Sequence, residues 1–246
     1  MKCFITFISS MLFLHGYSQK EKFLVKFSPL ALIDQVSFPA IQGGAEFRLS
    51  RSITWYNELG IKYLKSYMDA DTSFLPSSGF KVKTEFRYYF QKRAKTEFEG
   101  AYFAINGFFI RDIHNTEIVY FPNNDSSRTV SDAFGVKKNV FGSNLIIGYQ
   151  NFISKRFAFD FYGGFGVRFR IIHTVNKEFD KNTDVISSPI DLNIPAMRHE
   201  VDANGGNSVV PNFTLGLRLV YRLYDLNRTY PGFVGKHIHK GWTKKE

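Results

Sequence analysis

One stretch of the chain decides its fold: residues 157–171 read FAFDFYGGFGVRFRI. Apolar residues occupy alternate positions, and mostly small or charged residues lie between them. Only a β-strand places alternate residues on opposite faces, so this segment is predicted to be a strand with one apolar and one polar face. Residues 79–90 (GFKVKTEFRYYF) repeat the pattern. Both runs are longer than a globular strand of about 5 to 6 residues, and they suit a wall that crosses a bilayer at a tilt, which needs roughly 9 to 11.

Residues 1–18 have the features of an export signal. Lys2 gives a positive start, Phe4 to Leu14 is mostly apolar, and small residues precede an expected cleavage near Ser18. The only cysteine, Cys3, lies in this segment, so the mature chain would have no thiol for a disulfide or a thiolate metal site.

The composition of the remaining chain excludes a helical membrane protein. No stretch after residue 18 approaches the roughly 18 consecutive apolar residues that a membrane helix requires. The mean hydropathy is −0.19, yet aromatic residues make up 17% of the chain. A lipid-facing exterior accounts for so many rings, because an alternating strand hides its apolar face from hydropathy averages. The net charge of +10 favours anionic lipid or lipopolysaccharide phosphates as partners, and not nucleic acid, which an exported chain would not meet.

Alternation and turn residues predict eight strands, at 23–32, 38–49, 53–65, 79–90, 97–111, 140–154, 157–173 and 209–223. Short polar turns alternate with long connections at 66–78, 112–139 and 174–208, although the first connection, 33–37, is brief. Outer-membrane barrels have this asymmetry, with tight periplasmic turns and long outer loops. We expect an all-β, antiparallel up-and-down transmembrane β-barrel of about eight strands over residues 19–223. Ten strands remain an alternative if 116–121 and part of 174–208 also pair.

The charged residues indicate which face points inward. Periodicity alone does not, since a lipocalin-like soluble barrel would turn its apolar side inward. Mixed charges interleaved with glycines suit a narrow interior, and an interior of eight strands is just filled by side chains, which predicts a plugged lumen. The predicted lumen charge network consists of Glu46, Arg48, Glu58, Lys62, Lys83, Glu85, Arg87, Asp160, Arg168, Arg170, Arg218 and Arg222. In strand 97–111 the alternation places Phe98 and Tyr102 outward, which turns Asn106 to lipid and indicates a bulge near Gly107 or a wrong register.

The last predicted strand contains TLGLRLVY at residues 214–221. This segment resembles the assembly signal of bacterial outer-membrane barrels, with Thr214, Gly216, Leu219 and Tyr221 at its polar, glycine, hydrophobic and aromatic positions. The chain departs from that signal by continuing as a basic tail, 224–246, which we expect in the periplasm.

Taken together, these features resemble a small bacterial outer-membrane β-barrel protein, of an uncharacterised barrel-domain family similar in architecture to the membrane domain of outer-membrane protein A. The segments KFSPL (26–30), GAEFRLS (44–50) and ELG (58–60) are also similar to that group. The resemblance covers residues 22–223. It implies a multi-pass barrel in the cell outer membrane, with outer-membrane lipids, lipopolysaccharide and the barrel-assembly machinery as partners, and it carries over no catalytic residue.

Catalytic motifs are missing from the sequence, which has no G-x-S-x-G, P-loop, H-E-x-x-H or paired-cysteine pattern. We therefore expect neither enzyme activity nor a cofactor or metal. His173 is a candidate for a lipid-modifying hydrolase, but no motif fixes a nucleophile beside it. His237 and His239 in the tail are too few ligands for a metal site.

The mixed-charge polar face favours a structural or surface-interaction barrel with a filled lumen, which would present long loops to a surface ligand. Turn-forming residues at 122–127 and 202–207 predict exposed loop tips in those loops. A small transport channel, a lipid-modifying enzyme acting through His173 and a soluble secreted barrel remain alternatives. The sequence identifies no ligand.

Overall fold

A computed structural model of the protein describes residues 23–33, 39–63, 75–90, 98–187 and 202–223. The predicted signal (1–18) and tail (224–246) lie outside these ranges. Among the described residues no helix is long and apolar enough to cross a membrane. A short helix, Leu30–Ile33, follows the first strand, and a 3-10 turn, Pro122–Asn124, follows the fifth. The strands are β1 (Phe23–Phe27), β2 (Ala40–Arg48), β3 (Ile53–Lys62), β4 (Ser78–Tyr89), β5 (Gly100–Phe121), β6 (Val130–Phe152), β7 (Phe157–Val175), β8 (Val185–Ile186) and β9 (Gly206–Arg222).

Eight of these strands close into a ring. Each of β1 to β6 pairs antiparallel with the strand that follows it in the chain, β7 pairs with β9, and β9 pairs with β1. The predicted all-β, antiparallel, up-and-down barrel of eight strands is confirmed. The ten-strand alternative is wrong for the described residues: Tyr120 and Phe121 do pair with β8, but at the edge of β5 and outside the ring.

The pairing register gives the barrel its stagger. One can start at Leu219 in β9 and step from each residue to its paired residue on the next strand. After one turn around the ring this path returns to β9 at Val209, ten positions away from Leu219. A closed barrel with such a stagger has tilted strands, typically by about 35–45°. Apart from Gly43, every residue on this path is apolar and exposed: Leu219, Phe27, Leu59, Val82, Phe109, Phe141, Phe169 and Val209.

The two ends of the barrel differ. We call the end that carries Phe23 and Arg222 the lower end. Its connections are 49–52, 90–99 and 153–156, whereas the upper end carries 28–39, 63–77, 122–129 and 176–205. The predicted long loop at 112–139 is wrong, because β5 and β6 continue upward and leave only 122–129 between them.

The upper extension of β5 and β6 has its own apolar core. This core consists of Ile118, Tyr120, Phe134, Val136, Ile172, Phe179 and Ala203. The apolar alternation does not predict this extension, because the inward-facing positions below its core are polar, at Asp112, His114 and Thr116. The apolar alternation that marks the other strands is therefore interrupted there.

The register of β5 also corrects a prediction. Asn106 lies opposite Glu85 in β4 and Asn144 in β6, within a continuous ladder. Tyr102 and Asn106 are therefore buried in the interior, and Phe98 is buried as well, so the prediction that Phe98 and Tyr102 face outward is wrong. No bulge interrupts the pairing of β5 at Gly107.

Candidate functional site: the barrel interior

Ionic side chains fill the middle of the barrel. Four acids and four bases form the cluster that we call the central network: Glu46, Glu58, Glu85, Asp160, Lys26, Lys83, Arg87 and Arg218. Seven of these side chains are at most 1% exposed, and that of Lys83 is 11% exposed. Because acids and bases are equal in number, the network is neutral overall.

Two guanidinium groups connect opposite walls of the barrel. Arg87 in β4 lies 2.9 Å from Asp160 in β7. Arg218 in β9 lies 2.5 Å from Glu85 in β4 and 3.1 Å from Glu58 in β3. None of these strand pairs are neighbours in the sheet. The side chains therefore cross the interior and occupy its axis.

The carboxylates receive further donors. Lys26 lies 2.6 Å from Glu46 and 2.8 Å from Asp160. Three tyrosine hydroxyls donate as well, Tyr56 to Glu58 at 2.7 Å, Tyr89 to Glu46 at 2.9 Å and Tyr102 to Asp160 at 2.7 Å. Burying ions costs free energy that Coulomb attraction offsets only when the remaining hydrogen bonds are made. These donors meet that condition for Glu46 and Asp160, whereas Oε1 of Glu58 accepts no hydrogen bond within the described residues and lies 3.3 Å from Nζ of Lys83.

Glycines make room for the tyrosine rings. A Cβ atom at Gly148 would lie 2.3 Å from Cζ of Tyr102, and one at Gly216 would lie 2.2 Å from Cζ of Tyr162. The Tyr162 ring in turn faces the guanidinium of Arg218, whose Cζ is 3.8 Å from the ring centroid. This cation–π contact ties the tyrosine–glycine packing to the central network.

The predicted lumen residues lie at three levels. Glu46, Glu58, Lys83, Glu85, Arg87, Asp160 and Arg218 belong to the central network. Arg48 and Arg222 lie at the lower end, where Arg48 Nε donates to the carbonyl of Ser50 and Arg222 lies over the Phe152 ring. Lys62, Arg168 and Arg170 lie above the network, and Lys62 contacts Asp112 at 2.6 Å.

Sequence reasoning missed Lys26 and Tyr102, whereas the alternation in residues 79–90 already places Tyr89 on the polar face. Lys26 alternates with outward-facing Val25 and Phe27, so the same pattern would have placed it inside. Tyr102 gave no such signal, because an aromatic residue fits both faces of this barrel.

The outward-facing positions form an uncharged and mostly apolar belt, which also includes the polar residues Asn57, Thr84 and Ser143. They are odd-numbered in every strand of the ring except β4, where they are even. Along the described strands, up to Phe109, Phe141 and Ile171, none of these positions is charged. The first charged or titratable outward residues above the belt are Arg111, Lys137 and His173. On β5 the belt covers residues 101–109, close to the roughly 9 to 11 residues with which a tilted strand crosses a bilayer.

The assembly-signal residues occupy both faces of β9. Gly216 is buried and faces inward with Thr214, whereas Leu219 and Tyr221 face outward, and Tyr221 packs on Phe157 with ring centroids 5.2 Å apart. Their role in assembly stays a prediction.

The histidines give no metal site. His173 is exposed, faces outward and pairs with Lys137 across β6 and β7. His237 and His239 lie outside the described residues. Within the described ranges, no group of three or more His, Cys, Asp or Glu residues is arranged to hold a metal ion.

A second charged cluster fixes an upper loop to the barrel. Asp202 is fully buried, with Oδ1 2.8 Å from Nζ of Lys138 and Oδ2 3.1 Å from Nε2 of His114. Nδ1 of His114 lies 3.2 Å from Asp112, which also contacts Lys62. The prediction of an exposed tip at 202–207 is therefore wrong at Asp202 and also at Ala203, which is fully buried in the upper apolar core. The segment 122–127, in contrast, is exposed except at Pro122.

The carboxylates of Asp112 and Asp202 shift the pKa of His114, which lies above the belt. Burial by itself lowers the pKa of His114, but the nearby carboxylates of Asp112 and Asp202 outweigh burial and raise the pKa above its ordinary value. Protonated His114 therefore stabilises the docked loop. This contribution is complete below the unfolded pKa of about 6.5 and is lost as pH rises through the higher folded pKa.

Replacing Arg87 with methionine should lower the free energy of unfolding by about 3–5 kcal/mol, because it leaves buried carboxylates without their partner. Urea titration of the detergent-refolded protein, followed by tryptophan fluorescence, measures this loss. Arg51→Met, at an exposed lower turn, is the control and should change stability by less than about 0.5 kcal/mol. Equal stability of the two variants would show that the network contributes little.

Raising the pH from 5 to 9 should loosen the loop around Asp202, because His114 loses its charge. Hydrogen–deuterium exchange of residues 203–205, compared with the β5–β6 ladder, follows the loosening. His114→Gln should remove the pH dependence, and His173→Gln should keep it. Exchange that slows as pH rises, after correction for the intrinsic rate, would contradict the assignment.

Comparison with known proteins places the chain in a family. A family model described as "Protein of unknown function (DUF3575)" matches residues 4–186. No curated protein and no solved structure gives a significant match. Because the matched residues make up well over half of the sequence, the chain belongs to the DUF3575 family.

Proposed function

We propose that this protein is an integral β-barrel of the bacterial outer membrane, with a filled interior that passes no solute and an upper end that presents a surface to the outside. The observation that carries the proposal is the uncharged belt around the whole ring. Water-soluble monomers rarely expose contiguous apolar patches larger than a few hundred Å². Phe213 and Leu215 are 82% and 86% exposed, so the belt needs an apolar solvent such as lipid hydrocarbon.

The interior supports the same proposal. A soluble lipocalin-like barrel would place its apolar residues inside, but here the interior holds the central network and most phenylalanines of the ring strands face outward. The contacts of Arg87 and Arg218 with opposite walls fill the axis, which favours a structural or surface role over a channel.

The orientation follows from the two ends. The lower connections 49–52 and 153–156 are short, which suits the periplasmic side, whereas the upper connections 28–39, 63–77 and 176–205 are longer, which suits the cell surface. The apolar start of the sequence would direct export, and the segment with Thr214 and Gly216 would engage the barrel-assembly machinery. Lipopolysaccharide and other outer-membrane lipids would then surround the belt.

Fractionation of a Gram-negative host that expresses the full chain tests the location. We expect the protein in the outer-membrane fraction, with a band that shifts on boiling, and no conductance in planar bilayers. Release with soluble periplasmic proteins would contradict the membrane assignment, and steady single-channel currents would contradict the filled lumen.

A matched pair of variants tests the belt itself. Leu145→Arg places a charge in the middle of the belt and should destabilise the vesicle-inserted protein by about 2–4 kcal/mol. Asn151→Arg, outward-facing at the lower rim, should cost at most about 1 kcal/mol. Equal effects in urea titrations of the two variants would mean that lipid does not cover this face.

A further inference from the structure

The interior opens above the central network. Inward-facing Ile110, Arg168, Arg170, Ser208 and Val210 are partly exposed, whereas the carboxylates below them are buried. These five residues line what we call the upper cup. Its wall combines two guanidinium groups with a hydroxyl and apolar side chains.

Arg168 and Arg170 bring two positive charges to one side of the cup. They face the same way because they are two residues apart on β7, opposite Val210 and Ser208 in β9. Nε of Arg170 donates to Oγ of Ser208 at 3.0 Å, which orients that guanidinium. Nε of Arg168 is buried and has no hydrogen-bond partner in the described structure. A buried donor without a partner costs free energy unless a ligand accepts its hydrogen bond.

The remaining ions of the upper interior leave this charge unmatched. Lys62 contacts Asp112, and Lys138 contacts Asp202 beside His114. Inward-facing Lys81, opposite Ile110 in the sheet, adds a further positive charge to this region. The central network is neutral by itself. Within the described ranges, no acid lies within ion-pair distance of Arg168 or Arg170, so the upper cup carries an excess of positive charge.

We propose that Arg168 and Arg170 bind a phosphate group in the upper cup. A planar guanidinium group can donate two parallel hydrogen bonds to the oxygens of a phosphate. The positive charges of two such groups neutralise the two negative charges of a phosphomonoester dianion. The Ser208 hydroxyl lies beside them as a further donor, and Ile110 and Val210 add apolar surface to the wall of the cup. The phosphate belongs either to a lipid headgroup or to a free anion. The site requires only the folded barrel, so it stands independently of the membrane location.

Binding to the full-length protein, refolded in a zwitterionic detergent, tests the site. Calorimetric titration uses two probes, inorganic phosphate and purified lipopolysaccharide, with dephosphorylated lipopolysaccharide for comparison. We expect Arg168→Gln/Arg170→Gln to weaken binding of the phosphate-bearing probe at least tenfold. Binding of inorganic phosphate would identify a free-anion site, and binding of lipopolysaccharide alone would identify a lipid-headgroup site.

A control of equal charge separates the site from general attraction. Arg128→Gln/Lys181→Gln removes the same charge from exposed upper positions and should keep affinity within twofold. A heat-shifted band checks that each variant folds. If the double variant does not fold, the single variant Arg168→Lys replaces it. Lysine keeps the positive charge but loses the paired N–H donors of the guanidinium, so it should weaken binding several-fold. Binding of neither probe, or equal losses in site and control variants, would overturn the proposal.

Discussion

The structure depends on a single constraint: ions that lie inside a narrow closed barrel must neutralise one another across its axis. Eight strands leave an interior that side chains just fill. Arg87 and Arg218 meet this constraint by reaching carboxylates on non-neighbouring strands. Each guanidinium holds several strands at once, so the network fixes both ring closure and a filled axis. The glycines that accommodate the tyrosine rings follow from the same lack of space.

The exterior is the complement of that interior. Side chains alternate along each strand, so polar residues that face the axis leave apolar residues on the outside. Below Arg111, Lys137 and His173 the outer face is uncharged in the described strands. Above Arg111, Lys137 and His173, β5 and β6 continue as a sheet with a separate apolar core and a loop anchored at Asp202. The outer face is therefore uncharged along the belt and carries charged residues where the extension begins.

Much of this arrangement could be predicted from sequence. Alternation in 79–90 and 157–171 gave the strands and their faces, because a regular period of two has one structural meaning. The predicted facing of Tyr102 and Asn106 was wrong, because a tyrosine fits either face of this barrel and the alternation around them is not regular. The extension at 112–139 was missed because His114 and Thr116 interrupt the apolar pattern. Contacts across the axis, such as Arg218 with Glu85, depend on the stagger, which no local pattern encodes.

Direct contact of the belt with acyl chains is the central claim, and depth-sensitive fluorescence quenching measures it. Two variants, Phe165→Trp and Tyr162→Trp, would each be made in a Trp55→Phe/Trp242→Phe background so that each contains one tryptophan. Each variant would then be reconstituted into liposomes with brominated acyl chains. The account predicts strong quenching at position 165, which faces outward, and little at position 162, which faces the interior. Quenching that is equal at the two positions, or stronger at 162, would contradict it.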